Sequence, residues 1–182
     1  MKIALDAMGG DFAPTAVIKG AVEALSCTPK NVELILLGNK DLIQKEFSSL
    51  LPSRISIHHC PDSITFQDRA STVVKSKPDS SIVKGIKMVK ENKVNGFISA
   101  GHTGAVLAAS LLILGRIPGV RRPALGVYIP TNVGGKILCD VGANPDAKPV
   151  HLFQFATMGS HYLDHIEGCK HPKIGLVNII KL

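Results

Sequence analysis

The 182-residue chain predicts an α/β fold, an open and mostly parallel sheet with helices on both faces. Three observations carry that expectation. Short apolar runs alternate with segments of helical periodicity along most of the chain. Trp is absent and aromatic residues make up only 4% of the sequence, so the core must be Val, Ile, Leu and Ala, the usual filling of parallel strands buried on both faces. Glycine-containing turns also follow the apolar runs where a strand would hand over to a helix.

Taken in order, Lys2 to Ala7 reads as a buried strand and Met8 to Pro14 as a turn. Thr15 to Leu25 follows as a helix whose apolar face is Val17, Ile18, Ala21, Val22 and Leu25, with Pro14 suited to its first turn. Val32 to Leu37 is a second strand, closed by Gly38-Asn39. Asp41 to Leu50 predicts a helix and Arg54 to His58 a short strand. Ser80 to Glu91 is a helix, with Ile82, Ile86 and Val89 spaced for burial. Val94 to Ile98 is a strand that opens through Ser99-Ala100-Gly101-His102-Thr103-Gly104 into a helix from Ala105 to Leu114. Leu125 to Ile129 and Lys136 to Val141 flank an Asn- and Gly-rich loop, which predicts a hairpin and so an antiparallel excursion from the parallel sheet. Val150 to Ile166 is the longest helix, and Lys173 to Ile179 a last strand. No repeat or linker interrupts the series, so residues 1–182 are expected to form one domain. Its final apolar strand, with no helix to follow, reads as the edge of an incomplete fold.

Composition narrows the classes. A hydrophobic share of 45% with 19% charged residues is that of a globular chain, and the longest apolar stretch is too short to span a bilayer. The amino terminus reaches Asp6 too early for a signal peptide, so a cytoplasmic location is expected. Cys27, Cys60, Cys139 and Cys169 lie far apart and are expected as free thiols. The net charge of +7 comes from dispersed lysines without an arginine-rich helix or basic-aromatic interleaving, which argues against nucleic acid. A diffuse positive field suits an acidic protein partner or an anionic membrane surface, and composition does not choose between them.

In open α/β sheets ligands gather beyond the carboxyl ends of the strands. Four loops stand there: Asp6 to Pro14 with Gly9, Gly10 and Asp11; Ser99 to Gly104; Pro130-Thr131; and Asp140 to Asp146 with Asn144. Together they predict one polar crevice. The Ser99 loop aims backbone N–H groups and a helix dipole at one point, where an anion such as phosphate fits, with Ser99 and Thr103 as hydroxyl donors. A tight βα turn in which the glycines only relieve strain has the same sequence. Asp11 and Asp146 read equally well as caps, whereas Asp6 and Asp140 end apolar strands. Lys75, Lys77, Arg116, Arg121 and Arg122 are candidate cations for an anion, Arg122 as a bidentate fork. His161 and His165 have i, i+4 spacing but lack the glutamate of a zinc helix, and no metal site is expected. No G-x-S-x-G, P-loop or dinucleotide fingerprint occurs.

Several runs together resemble the PlsX family, the phosphate acyltransferases of bacterial phospholipid synthesis. They are Asp6-Ala7-Met8-Gly9-Gly10-Asp11 with Ala13-Pro14, Lys77 with Ser80-Ser81, and Ser99-Ala100-Gly101 with Thr103-Gly104-Ala105. The series continues with Arg122-Pro123-Ala124, Pro130-Thr131, Asp140-Val141-Gly142-Ala143-Asn144, Gln154-Phe155-Ala156 with Met158-Gly159, and Gly175-Leu176 with Asn178-Ile179. The resemblance implies a three-layer α/β/α sandwich like that of phosphotransacetylases and the isocitrate/isopropylmalate dehydrogenases. It implies transfer of a fatty acyl group from acyl carrier protein to inorganic phosphate, with no cofactor. A homodimer is implied too, with peripheral contact at the inner face of the membrane, where a glycerol-phosphate acyltransferase would use the acyl phosphate. For that chemistry the site residues expected in this chain are Asp6, His102, Asp140 and Asn144 in catalytic or positioning roles. Gly9, Gly10, Asp11, Lys77, Ser80, Ser99, Gly101, Thr103, Gly104, Arg122 and Thr131 would contact phosphate or substrate. The chain departs from the family at His102, where Asn is usual, at Lys75, where Arg is usual, and at Val150, where an acidic residue is common. The family continues for roughly as much sequence again, so a remnant that binds phosphate or a partner without turnover is the alternative expectation.

Overall fold

The computed structural model describes residues 1–48 and 50–177. Contacts divide the chain into two compact units, Met1–Gly115 and Arg116–Leu182.

The first unit is built on four strands, β1 (Lys2–Asp6), β2 (Glu33–Gly38), β3 (Ile55–His59) and β4 (Gly96–Ile98), in the order β3-β2-β1-β4 and all parallel. Alternation along the strands sends side chains to two faces. Leu34 and Leu36 of β2 and Ile55 of β3 pack with Ile18, Ala21 and Leu25 of α1 (Thr15–Cys27) and Ile43 of α2 (Lys40–Lys45). Ala4 and Leu37 face the other way, onto Met88 and Val89 of α4 (Ser81–Lys90). The unit is therefore a three-layer α/β/α arrangement, as expected. A third apolar cluster joins Val73 of α3 (Val73–Ser76), Ile82 and Ile86 of α4, and Ala105 and Ala109 of α5 (Thr103–Ala109). The helix expected through Leu114 continues beyond α5 as a π-helical turn, Ser110–Leu114, which ends at Gly115 with φ +85°.

Two elements of this unit differ from expectation. Helix α2 stops at Lys45 because Glu46 and Phe47 close it with i→i−3 bonds, and Leu50, 95% exposed, offers no apolar contact to extend it. Helix α3 was not anticipated; four residues are too few to show periodicity.

The second unit pairs β5 (Gly126–Ile129) with β6 (Lys136–Cys139) in the expected antiparallel hairpin, and β6 packs on the 19-residue α6 (Pro149–Glu167). Pro149 starts α6 where a missing N–H costs nothing, and Gly168, at φ +67°, ends it. The strand expected over 173–179 does not form over 173–177, and Asn178 and Ile179 lie outside the described residues.

Candidate functional site

Strands β1 and β4 are parallel neighbours, with Leu5 opposite Ile98, so the loops that follow them leave the same sheet edge side by side. Asp6, the last residue of β1, is 1% exposed. A carboxylate in that position needs donors. The Ser99 hydroxyl donates to its Oδ2 at 2.7 Å and the Met8 amide to its Oδ1 at 3.1 Å. Ser99 Oγ in turn accepts the Gly101 amide at 3.0 Å. Residues 93 positions apart in sequence thus fasten the two loops together. Glycine is required at the crossing. A Cβ on Gly9 would overlap the Asp6 carboxylate and stand 2.7 Å from the Gly101 nitrogen.

From Gly101 the chain turns into α5, and His102 is the N-cap. Its Nδ1 accepts the Ala105 amide at 3.3 Å, beside that amide's shorter bond to the His102 carbonyl at 2.9 Å. With Nδ1 an acceptor, the ring proton belongs on Nε2, which donates to the Asp68 carbonyl at 3.1 Å. The ring also stacks on Phe66, with centroids 6.1 Å apart. A histidine can therefore fill the capping role that an Asn side chain would fill by its oxygen. The next amides, of Thr103 and Gly104, have no acceptor among the described residues. Thr103 is exposed and its hydroxyl free to meet a ligand.

Between the two glycine loops lies a cleft of about 240 Å³, lined by Met8, Gly10, Asp11, Gly101 and His102, with Ser63 to Phe66 as its other wall. That wall is held from behind. Lys77 Nζ donates to Asp68 Oδ2 and to the Ser63 carbonyl, both at 2.7 Å. Thr65 adds its amide and hydroxyl to the same carboxylate oxygen. The hydrogen bond from Lys77, and then that from the Thr65 amide, holds the Asp68 carboxyl down at about 2. Lys77 therefore organises the wall rather than pointing a free ammonium at the cleft. Ser80, fully buried, donates to the Lys77 carbonyl at 2.8 Å and steadies the same turn. Lys75 and Arg69 are exposed.

The remaining sequence candidates lie in the second unit. Asp140 accepts four hydrogen bonds: the Leu125 and Ala143 amides reach Oδ1 at 2.7 and 3.2 Å, and the Asn144 amide and side chain reach Oδ2 at 2.8 and 3.0 Å. Burial raises the Asp140 pKa, but these donors outweigh it and hold the carboxyl below its ordinary value. Asn144 also donates to the Pro123 carbonyl at 2.7 Å. Asp140 and Asn144 are thus the hub of a turn, with the carboxylate's acceptor sites filled. Arg122 stands near enough to buried His151 to depress it, after the larger effect of burial itself. Thr131 sits in the hairpin loop, where its hydroxyl bonds the Gly134 carbonyl at 2.5 Å. His161 and His165 are exposed on α6, His165 Nδ1 bonding the His161 carbonyl at 2.8 Å. Among the described residues no three His, Cys, Asp or Glu are grouped to hold a metal ion.

The first unit thus brings together Asp6, Gly9, Gly10, Asp11, Ser99, Gly101, His102, Thr103 and Gly104, with Lys77 and Ser80 one step behind. Sequence reasoning missed the Ser63–Asp68 wall. The only local signal was Thr65-x-x-Asp68, a spacing at which a carboxylate reaches back to an amide three residues earlier.

Comparison with known proteins bears on what such a cleft is for. The family described as "Fatty acid synthesis protein" matches residues 1–180. A protein of Desulfitobacterium hafniense named phosphate acyltransferase is 48% identical over 181 residues, 98% of this chain and 53% of its own length. One of the same name from Dictyoglomus turgidum is 47% identical, with 98% and 54% covered. The chain therefore spans about half the length of the curated relatives it matches. Among solved structures, the EutD phosphotransacetylase from Staphylococcus aureus superposes with a TM-score of 0.64 at 20% identity, over 90% of this chain and 52% of that one. A branched-chain phosphotransacylase from Enterococcus faecalis gives 0.52 at 11% identity, over 88% and 50%. These two share the fold. The match over nearly every residue, on the glycine loops that build the cleft, shows that this chain belongs to the fatty acid synthesis protein family, with the proteins named phosphate acyltransferase.

Proposed function

We propose that this chain carries the phosphate-binding half of an acyltransferase that moves a fatty acyl group from acyl carrier protein to inorganic phosphate. The observation that carries the proposal is the unengaged amides of Thr103 and Gly104, next in the chain after Gly101 and His102 of a glycine-lined cleft, in a chain of this family. Phosphate held there attacks the thioester carbonyl. The new C–O bond and the departing thiolate pass through a tetrahedral oxyanion that fixed N–H donors stabilise. Phosphate is already a nucleophile at neutral pH and a thiolate leaves readily, so positioning is the protein's main task. Gly101 to Gly104 form the cradle, Thr103 supplies a hydroxyl, and Asp6 and Ser99 hold the cradle's shape. The positive net charge suits acyl carrier protein as an acidic donor. The family resemblance further supports a homodimer working in the cytoplasm at the inner membrane face, handing acyl phosphate to a glycerol-phosphate acyltransferase. Among the described residues no helix is long and apolar enough to cross a membrane.

A second reading is phosphate or partner binding by this chain without turnover. One assay separates the two. Acyl carrier protein thioester is mixed with phosphate and the chain, and phosphate-dependent release of free thiol is followed. Release above background supports the transferase; none from a folded sample supports binding alone. Thr103→Val with Gly104→Ala should raise the phosphate concentration required about tenfold, and unchanged phosphate dependence would remove the cradle from the account.

A further inference from the structure

The cleft of the first unit has two kinds of lining, and every residue that lines it belongs to Met1–Gly115. Part is backbone, from Gly10 and Gly101, leading into the amides at the start of α5. The rest includes three apolar side chains, Met8, Ile64 and Phe66. Each is held by a contact of its own. Met8 lies on the bare backbone of Gly38, where an added Cβ would stand 2.6 Å from its Cγ and 2.8 Å from its Sδ. Ile64 belongs to the buried cluster of Val73, Ile82 and Ala105. Phe66 stacks on the His102 ring, with centroids 6.1 Å apart and planes 23° from parallel. The polar groups beside Ile64 and Phe66 are already engaged: the Thr65 amide and hydroxyl donate to Asp68, and the Ser63 carbonyl accepts from Lys77. What this wall presents to a ligand is therefore mainly apolar.

We propose that Phe66, with Met8 and Ile64, seats the first carbons of the acyl group and so helps to set which acyl groups are accepted. The proposal rests on the reading of Gly101 to Gly104 as the phosphate cradle. Given that cradle, bonding supplies the argument. Attack joins a phosphate oxygen to the carbonyl carbon, and the first carbon of the chain is bonded to that same carbon. The start of the chain thus lies within a few bond lengths of the anion. Phe66 is the apolar side chain that touches the cradle turn, through its stack on His102. Inorganic phosphate, with no apolar surface, gains nothing from such a wall, whereas a chain leaving the cradle buries its first methylenes against it. The sulfur departs from the carbonyl carbon in another direction, so the carrier and the chain need not share this wall.

The test uses n-alkyl phosphates, which join the anion to an apolar stem and require no turnover. Inorganic, methyl, ethyl and butyl phosphate are titrated into the isotope-labelled chain at mildly alkaline pH, where all four carry the same charge. Expected are shifts at the Gly101 to Gly104 amides with every probe, and further shifts at the Met8 methyl and the Phe66 ring that grow with the stem. Affinity should rise roughly threefold for each carbon that reaches the wall. In Phe66→Ser the ratio of butyl to inorganic phosphate affinity should fall about tenfold, while Phe66→Leu, still apolar, keeps most of the rise. Phe66 belongs to none of the buried clusters, so neither substitution opens the core, and the series on the parent chain is a test without any variant. Equal affinity along the series, or an undiminished rise in Phe66→Ser, overturns the acyl wall and leaves the cradle standing. Inorganic phosphate that shifts none of the Gly101 to Gly104 amides removes the cradle, and the acyl wall with it.

Discussion

Gly9 is where the interlock of the two glycine loops is most exposed to test. Replacing it by Ala places a methyl carbon 2.7 Å from the Gly101 nitrogen and 2.9 Å from its Cα, and into the Asp6 carboxylate. None of these is the loose end of a flexible side chain. Two are backbone, and the carboxylate is fixed by Ser99 and Met8. Carbon atoms pack at about 3.5–4.0 Å, so the loops must part by roughly 0.5–1 Å. Overpacking of this kind costs about 1–3 kcal/mol. Weakening the Ser99–Asp6 bond, which is charge-assisted, adds about 1 kcal/mol. With a urea slope of about 2 kcal/mol per molar, the midpoint of Gly9→Ala should fall by roughly 1–2 M. Gly20→Ala is the control. It lies in α1 with nothing within 4 Å of the new methyl, and should raise stability by about 0.5–1 kcal/mol through helix propensity. Both are read by urea unfolding followed by far-UV circular dichroism. A Gly9→Ala midpoint equal to the parent's would refute the interlock.

Three further outcomes follow from the same geometry. Lys77→Met should return the Asp68 midpoint from about 2 toward 3.8, read by carbon NMR titration of the carboxyl group. Because the folded pKa is the depressed one, Asp68 contributes stability above pH 3.8 that is lost as pH falls toward 2, and the variant should lose that acid dependence. An unmoved midpoint would mean Lys77 is not its partner. His102→Asn keeps an acceptor for the Ala105 amide and should unfold near the parent's temperature, whereas His102→Ala loses the cap and about 1 kcal/mol; equal melting of the Ala variant and the parent would rule out capping. Burial pushes the Cys60 thiol up to about 11, against an opposing pull from Lys84, while Cys27 and Cys169 are exposed. Iodoacetamide at pH 8 should therefore label Cys27 and Cys169 and reach Cys60 only after denaturant is added, and mass spectrometry showing equal native labelling would contradict that.

What the sequence revealed depended on how local each cause was. Strands β1 and β2 and helix α1 are announced by their own apolar spacing, and the hairpin by its turn residues. The end of α2 was not legible, because it depends on two i→i−3 bonds and on Leu50 finding nothing to pack against. Asp6 and Ser99 could be named as strand-end residues, but their bond joins positions 93 apart and required the sheet order. The cleft's second wall escaped notice because Asp68 and Lys77 look like solvated charges until the fold brings the Ser63 carbonyl between them. Asp140 was conspicuous as a carboxylate ending an apolar strand, but the four hydrogen bonds it accepts from Leu125, Ala143 and Asn144 were not legible from spacing.

The proposed function stands on the turn from Gly101 to Gly104 receiving phosphate. Proton–nitrogen correlation spectra of the labelled chain, titrated with inorganic phosphate at constant ionic strength, test it without requiring turnover. Saturable shifts are expected, centred on the amides of Gly101, His102, Thr103 and Gly104, and absent in Gly104→Ala, whose new methyl would press on the His102 ring at 3.0 Å and Ala70 at 3.1 Å. Shifts spread evenly over surface lysines, or none at these four amides, would contradict it.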